Sequence, residues 1–278
     1  MKTSFIQRLL TTVIGVPMVF SIMVFLPQAH FLGISLVVLA CSILGSIEMS
    51  RILLGRFHPF CLLPSLIVIG SWLDHSLELP ISLQQTALFA CILVFLALAI
   101  FTDQDNGFKA VRSSVSSLAL ITLYPSYLLS YLIEIVNLEV EALQSNYLLL
   151  IFIALVFSND IFAYVFGMLL GRKSQGIVKV SPHKSLAGFI GGGACCMGVS
   201  WLLFSIFLPQ LSWALSLALG LGISLAANIG DLAESAFKRS AGIKDSGAVI
   251  PGRGGILDCV DSISFSAPVF YLMLELVL

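Results

Sequence analysis

Apolar residues run through this chain in blocks separated by short polar stretches. A helix crossing about 30 Å of hydrocarbon needs roughly 20 apolar residues. On that measure the blocks predict about nine spans, over 9–27, 30–50, 60–77, 83–102, 114–136, 147–170, 186–208, 212–237 and 256–277. Pro64 interrupts the third, and the eighth and ninth carry carboxylates. The expected fold is all-α, a polytopic integral membrane protein. An N-terminal membrane region, 1–112, holds four spans. A second region, 113–278, holds five, with polar loops at 171–185 and 238–255.

Composition supports that reading. Of 278 residues 58% are hydrophobic and 10% charged, against about 25% charged in an average soluble domain. A soluble globular enzyme is excluded, and a net charge of −1 offers nothing for nucleic acid. Placement of charge says more. With the N-terminus inside, the N-terminal segment and the loops after spans 2, 4, 6 and 8 hold all 14 Lys and Arg. The opposite loops hold His30, Asp74, His75, Glu78, Glu139 and Glu141. The positive-inside rule then predicts a cytoplasmic N-terminus and a C-terminus on the opposite side. The N-terminal apolar stretch is long for a signal peptide, and no small-residue cleavage site follows. It reads as an uncleaved first span. The six cysteines lack CxxC spacing, so neither a zinc site nor a disulfide framework is expected.

The unusual polarity lies between Asn228 and Ser262. Asn228, Asp231 and Ser235 recur at i, i+3 and i+7 and share a helix face. Asp258 and Asp261 are three apart at the start of the next helix. Between them runs a glycine-rich loop carrying Lys238, Arg239, Lys244, Asp245 and Arg253, with Gly254 and Gly255 near its end. Asp231 falls about 28 Å along its span, near one membrane edge. A carboxylate deep in a bilayer costs on the order of 3 kcal/mol, and three facing one cavity repel. A divalent cation on Asp231, Asp258 and Asp261 relieves both problems. Carboxylates suit Mg²⁺, while N–H groups and cations suit phosphate. The structural alternative is ion pairing of these carboxylates with Lys238, Arg239 and Lys244.

A second constellation runs from Ser158 to Gly193. Asp160 and Tyr164 share a helix face, and Asp160 lies about 20 Å into its span. Ser181, Lys184 and Ser185 precede a glycine-rich helix start that would suit a phosphate; an ordinary capped loop is the alternative. Glu48 reads as part of a helix pair in preference to a cavity-lining group. Glu134 reads as interfacial.

The run SAFKRSAGIKDSGAVIPGRGGILDCVD, Ser235 to Asp261, resembles the signature of the CDP-diacylglycerol synthases, or phosphatidate cytidylyltransferases. Asp160 before Ala163-Tyr164, and the Ser-Pro-x-Lys-Ser turn from Ser181, are similar to that family too. Ile161 and Ser185 depart mildly, Ser185 standing for Thr. Arg253 stands where the family has His, and Cys259 where it has Arg. Together they shift one positive charge along the signature. The resemblance implies transfer of CMP from CTP to phosphatidic acid at the cytoplasmic face of a bacterial inner membrane. It implies catalytic roles for Asp231, Lys238, Arg239, Lys244, Asp245, Arg253, Asp258 and Asp261. Substrate contacts would come from Asp160, Tyr164, Ser181, Lys184, Ser185, Asn228, Ser235, Gly254 and Gly255. It also implies Mg²⁺, with a monovalent cation such as K⁺ alongside, and a homodimer. Two other classes fit parts of the pattern. A CTP-dependent polyprenol kinase would need a general base that only the Asp cluster could offer. An ion-coupled transporter would also use intramembrane carboxylates, but no inverted repeat is visible.

Overall fold

The computed structural model describes residues 17, 20–22, 28–77, 79–102, 108–140, 143, 145–171, 176 and 178–276. Among them the chain is helical and carries no strand beyond two isolated bridges. Helices α1 (Gln28–Leu54), α2 (Ser65–Leu77), α3 (Leu83–Thr102), α4 (Val111–Thr122) and α5 (Leu128–Asn137) are followed by α6 (Ser145–Leu170), α7 (Leu186–Phe207), α8 (Trp213–Ser240) and α9 (Leu257–Glu275).

Eight helical segments among the described residues are long and apolar enough to cross a membrane. They match the expected spans from 30–50 onward. The first expected span, 9–27, lies largely outside the described residues, as do Glu78, Glu141, Arg172 and Lys173. Prolines account for the irregular spans. Pro64 precedes α2, and a 3₁₀ turn at Pro59–Leu62 completes that crossing segment. Pro125 lacks an N–H and crowds the preceding turn, and the chain widens there into a π turn, Leu123–Tyr127, joining α4 to α5. Along α3 the exposed Phe89, Leu93 and Phe101 fit contact with lipid.

The chain forms two compact units: Met1–Asn137 with Ser240–Cys259, and Leu138–Arg239 with Val260–Leu278. In the first, Ser42 Oγ lies 3.2 Å from Ser65 Oγ and 2.8 Å from Ser126 Oγ. These hydroxyls link helices that have little apolar driving force to associate in lipid. Asp74 caps α3, accepting from Leu83 N at 2.5 Å and Gln84 N at 3.0 Å. Glu134 accepts from Ser71 Oγ at 2.6 Å and meets His75 Nε2 at 2.9 Å, so this expected interfacial residue has polar company.

In the second unit glycines set the spacing. A Cβ on Gly220 would sit 2.7 Å from Met197 Cα and 2.8 Å from Cys196 O, so α7 and α8 pack backbone to backbone there. Gly188 and Gly192 let α7 approach Ala163 on α6. Phe152, Phe204 and Phe270 fill the core, with Phe270 ring centroids 5.3 and 6.4 Å from the other two.

Candidate active site

The first unit holds the glycine-rich loop. Ile250-Pro251-Gly252-Arg253 is a tight turn, closed by Arg253 N donating to Ile250 O at 3.1 Å. Pro follows the first residue and Gly252 has φ +80°, as a type II turn requires. Asp258 Oδ2 then gathers the loop, accepting from Ser246 N at 2.9 Å, Ser246 Oγ at 2.8 Å and Gly255 N at 2.7 Å. Its reach back to Gly255 satisfies a donor at the start of α9, as a capping carboxylate does. Gly254, at φ +107°, leaves room for this, since a Cβ would lie 2.6 Å from Asp258 Oδ2. Lys244, Asp245 and Arg253 are exposed on the loop.

Glu48 of α1 also enters this loop. It is 1% exposed and accepts from Ser246 Oγ at 2.9 Å and from Ile256 N and Leu257 N at 3.0 Å each. The helix-pair reading of Glu48 is therefore replaced by a contact with a loop about 200 residues later in the chain, set by the unsatisfied N–H groups at a helix start. The available signal was a lone carboxylate inside an apolar span, which is costly unless it is partnered.

The second unit holds the carboxylate cluster. Asp160 on α6, Asp231 on α8 and Asp261 on α9 interact electrostatically, repelling one another, with the Lys184 ammonium as the cation among them. Lys184 Nζ lies 2.5 Å from Asp231 Oδ2 and over the Phe189 ring at 5.5 Å. Ser235 Oγ reaches Asp231 Oδ1 at 3.5 Å. Beside them a polar string links the helices. Asn159 Nδ2 donates to Asp160 at 3.2 Å, Ser224 Oγ to Asn159 Oδ1 at 2.6 Å, and Asn228 Nδ2 to Ser224 O at 2.7 Å. Asn159 and Ser224 were not singled out from sequence, although Ser224 stands one turn before Asn228.

The other expected residues take varied places. Ser185 is the N-cap of α7, accepting from Gly188 N at 3.1 Å, so its hydroxyl serves the helix. Ser181 O accepts from Lys184 N at 3.1 Å, a turn that brings Lys184 toward the cluster. Lys238 pairs with the buried Glu234 at 2.6 Å. Arg239 is exposed near the end of α8, and Tyr164 is exposed on α6. Asp258 stands in the first unit and Asp231 and Asp261 in the second.

Among the described residues no group of three or more His, Cys, Asp or Glu side chains is placed to hold a metal ion. Mg²⁺ does not require such a group. It dehydrates reluctantly, keeps several waters, and is bound through one or two carboxylates plus substrate phosphates. Mutually repelling Asp231 and Asp261 have the donor chemistry for that mode.

Comparison with known proteins decides the family. The family model described as the cytidylyltransferase family matches residues 6–277. The chain belongs to the cytidylyltransferase family. It is similar to the phosphatidate cytidylyltransferase of Staphylococcus aureus (strain COL), 30% identical over 262 residues, covering 92% of this chain and 96% of that one. The phosphatidate cytidylyltransferase of Staphylococcus saprophyticus is 32% identical over 206 residues, covering 74% and 72% respectively. An uncharacterised Escherichia coli (strain K12) protein, YnbB, is 35% identical over 192 residues, 68% of this chain and 63% of that protein. For this family the carboxylates and loop described above become the candidate machinery.

Proposed function

We propose that this integral membrane cytidylyltransferase transfers the CMP moiety of CTP to phosphatidic acid, giving CDP-diacylglycerol and pyrophosphate. The observation that carries the reading is the gathering of Asp160, Asp231 and Asp261 around Lys184 in a chain of this family built from membrane-spanning helices. Phosphatidate brings its own nucleophile, an anionic phosphate oxygen, so no general base is required. That oxygen forms a bond to the α-phosphorus of CTP while the bond to the bridging oxygen breaks, and pyrophosphate leaves.

The protein's task is to position two anions against each other and absorb charge. Asp231 and Asp261 would hold Mg²⁺, which when bound would supply charge neutralisation for the triphosphate and the in-line transition state. Asp258 joins that set on the strength of the family resemblance. Lys184, which pairs with Asp231 in the free protein, would turn to a substrate phosphate. The family resemblance adds Arg239, Lys244 and Arg253 as cations for the leaving pyrophosphate, while Lys238 is held by Glu234. We place the active site on the cytoplasmic side of a bacterial inner membrane, where CTP is available and the Lys and Arg residues gather, and we propose a homodimer.

The test is pyrophosphate release by the purified protein in detergent with Mg²⁺. Release that requires both CTP and phosphatidate, and stops on chelation, is expected. CDP release with a polyprenol as acceptor, and none with phosphatidate, would replace this reading by the lipid kinase.

A further inference from the structure

We infer that Glu48 is a positioning residue of the cytidylyl-transfer site, holding the glycine-rich loop and the start of α9 so that Asp258 is presented in one fixed orientation. The inference rests on the proposed role of Asp258 in that site.

The contacts are particular. Both carboxylate oxygens are used: Oε1 takes Ile256 N, and Oε2 takes Leu257 N and the Ser246 hydroxyl. The same Ser246 hydroxyl lies 2.8 Å from Asp258 Oδ2, so its single proton is shared between the two carboxylates and one side chain bridges Glu48 to Asp258. A buried anion at a helix N-terminus is favoured by the helix dipole and satisfies donors that would otherwise be orphaned.

Glu48 also explains two glycines of the loop. A Cβ on Gly247 would lie 2.5 Å from Glu48 Oε1 and 3.0 Å from its carboxyl carbon. A Cβ on Gly255 would collide with Ser246 Oγ and Glu48 Oε2. Neither position has a positive φ, so conformational freedom is not the reason for glycine there. One turn before Glu48, Gly45 completes the fit. A Cβ there would stand 3.0 Å from Pro125 Cβ and 3.1 Å from Leu257 Cδ2, so α1 is brought close to the first residue of α9.

Charge and size make opposite demands on substitutions at this position, which separates positioning from packing. Glu48→Gln keeps the volume but turns one acceptor into a donor facing another donor. Glu48→Asp keeps the charge and both acceptors but is a methylene shorter. Positioning through the anion predicts kcat in the order Glu48, then Asp, then Gln, with Gln at least tenfold below wild type. Packing alone predicts that Gln outperforms Asp.

The experiment combines that series with amide hydrogen exchange of the 246–257 segment in the substrate-free protein, and with Asp258→Asn assayed in parallel. The expected result is faster exchange in Glu48→Gln, the charge-dependent order of kcat, and an inactive Asp258→Asn. A less than additive effect is expected when Glu48→Asp is combined with Gly247→Ala, because the shorter side chain makes room for the added methyl. Unchanged exchange, or Gln above Asp in kcat, would overturn the inference while leaving the site reading intact. An active Asp258→Asn with faster exchange in Glu48→Gln would instead remove Asp258 from the site, and this inference with it.

Discussion

Asp231 and Asp261 have few ways to avoid each other's charge, and Lys184 provides one of them. Asp261→Asn should leave the protein inserted and folded, since a neutral amide is cheaper to bury than a carboxylate. Its turnover should fall by two orders of magnitude or more, consistent with the roughly 10²–10³-fold effect of losing one transition-state stabilising group. A steady-state assay on the purified variant checks this, and near-normal turnover would remove Asp261 from the metal set. Lys184→Ala should raise the apparent KM for an anionic substrate at least as much as it lowers kcat, because a cation that meets ground state and transition state alike contributes uniform binding. Unchanged kinetics would leave Lys184 as the partner of Asp231 only. These residues were legible from sequence because carboxylates and a lysine stand out among apolar spans. Glu48 stood out too, but its meaning was hidden: its partners are 198 to 209 positions away in the chain.

Helices were the most legible feature, because an apolar run of the right length has one stable conformation in lipid. What sequence left unread was how they touch. Gly220 looked like any small residue in a span, yet it brings α8 onto the backbone of α7. Gly220→Ala should therefore destabilise the protein by about 1–3 kcal/mol, the usual cost of overpacking, readable as a lowered thermal midpoint in detergent. Gly198, with nothing within 4 Å of its would-be Cβ, is the control, and alanine there should be near neutral. The loop before α9 carries two departures from the family signature, Arg253 and Cys259. If the arginine supplies the cation missing at 259, Arg253→His should lower activity and adding Cys259→Arg should restore it. The two changes then couple in a double-mutant cycle. A wild type inactive beside an active double variant would show a damaged signature instead.

At the scale of the whole molecule, a family match over residues 6–277 joins the long apolar helices and the carboxylates they carry in one enzyme. Eight of the expected spans were legible from length and hydropathy alone. The division into two units was not, because Ser240–Cys259 joins the first unit through contacts with α1 that no local pattern announces. Cytidylyl transfer and lipid phosphorylation differ in which phosphorus of CTP reaches the lipid. Purified protein supplied with phosphatidate, Mg²⁺ and CTP labelled in either the α- or the γ-phosphate decides it. Cytidylyl transfer predicts α-label in the lipid fraction and γ-label in released pyrophosphate. γ-label in the lipid, with α-label left in solution, would contradict it.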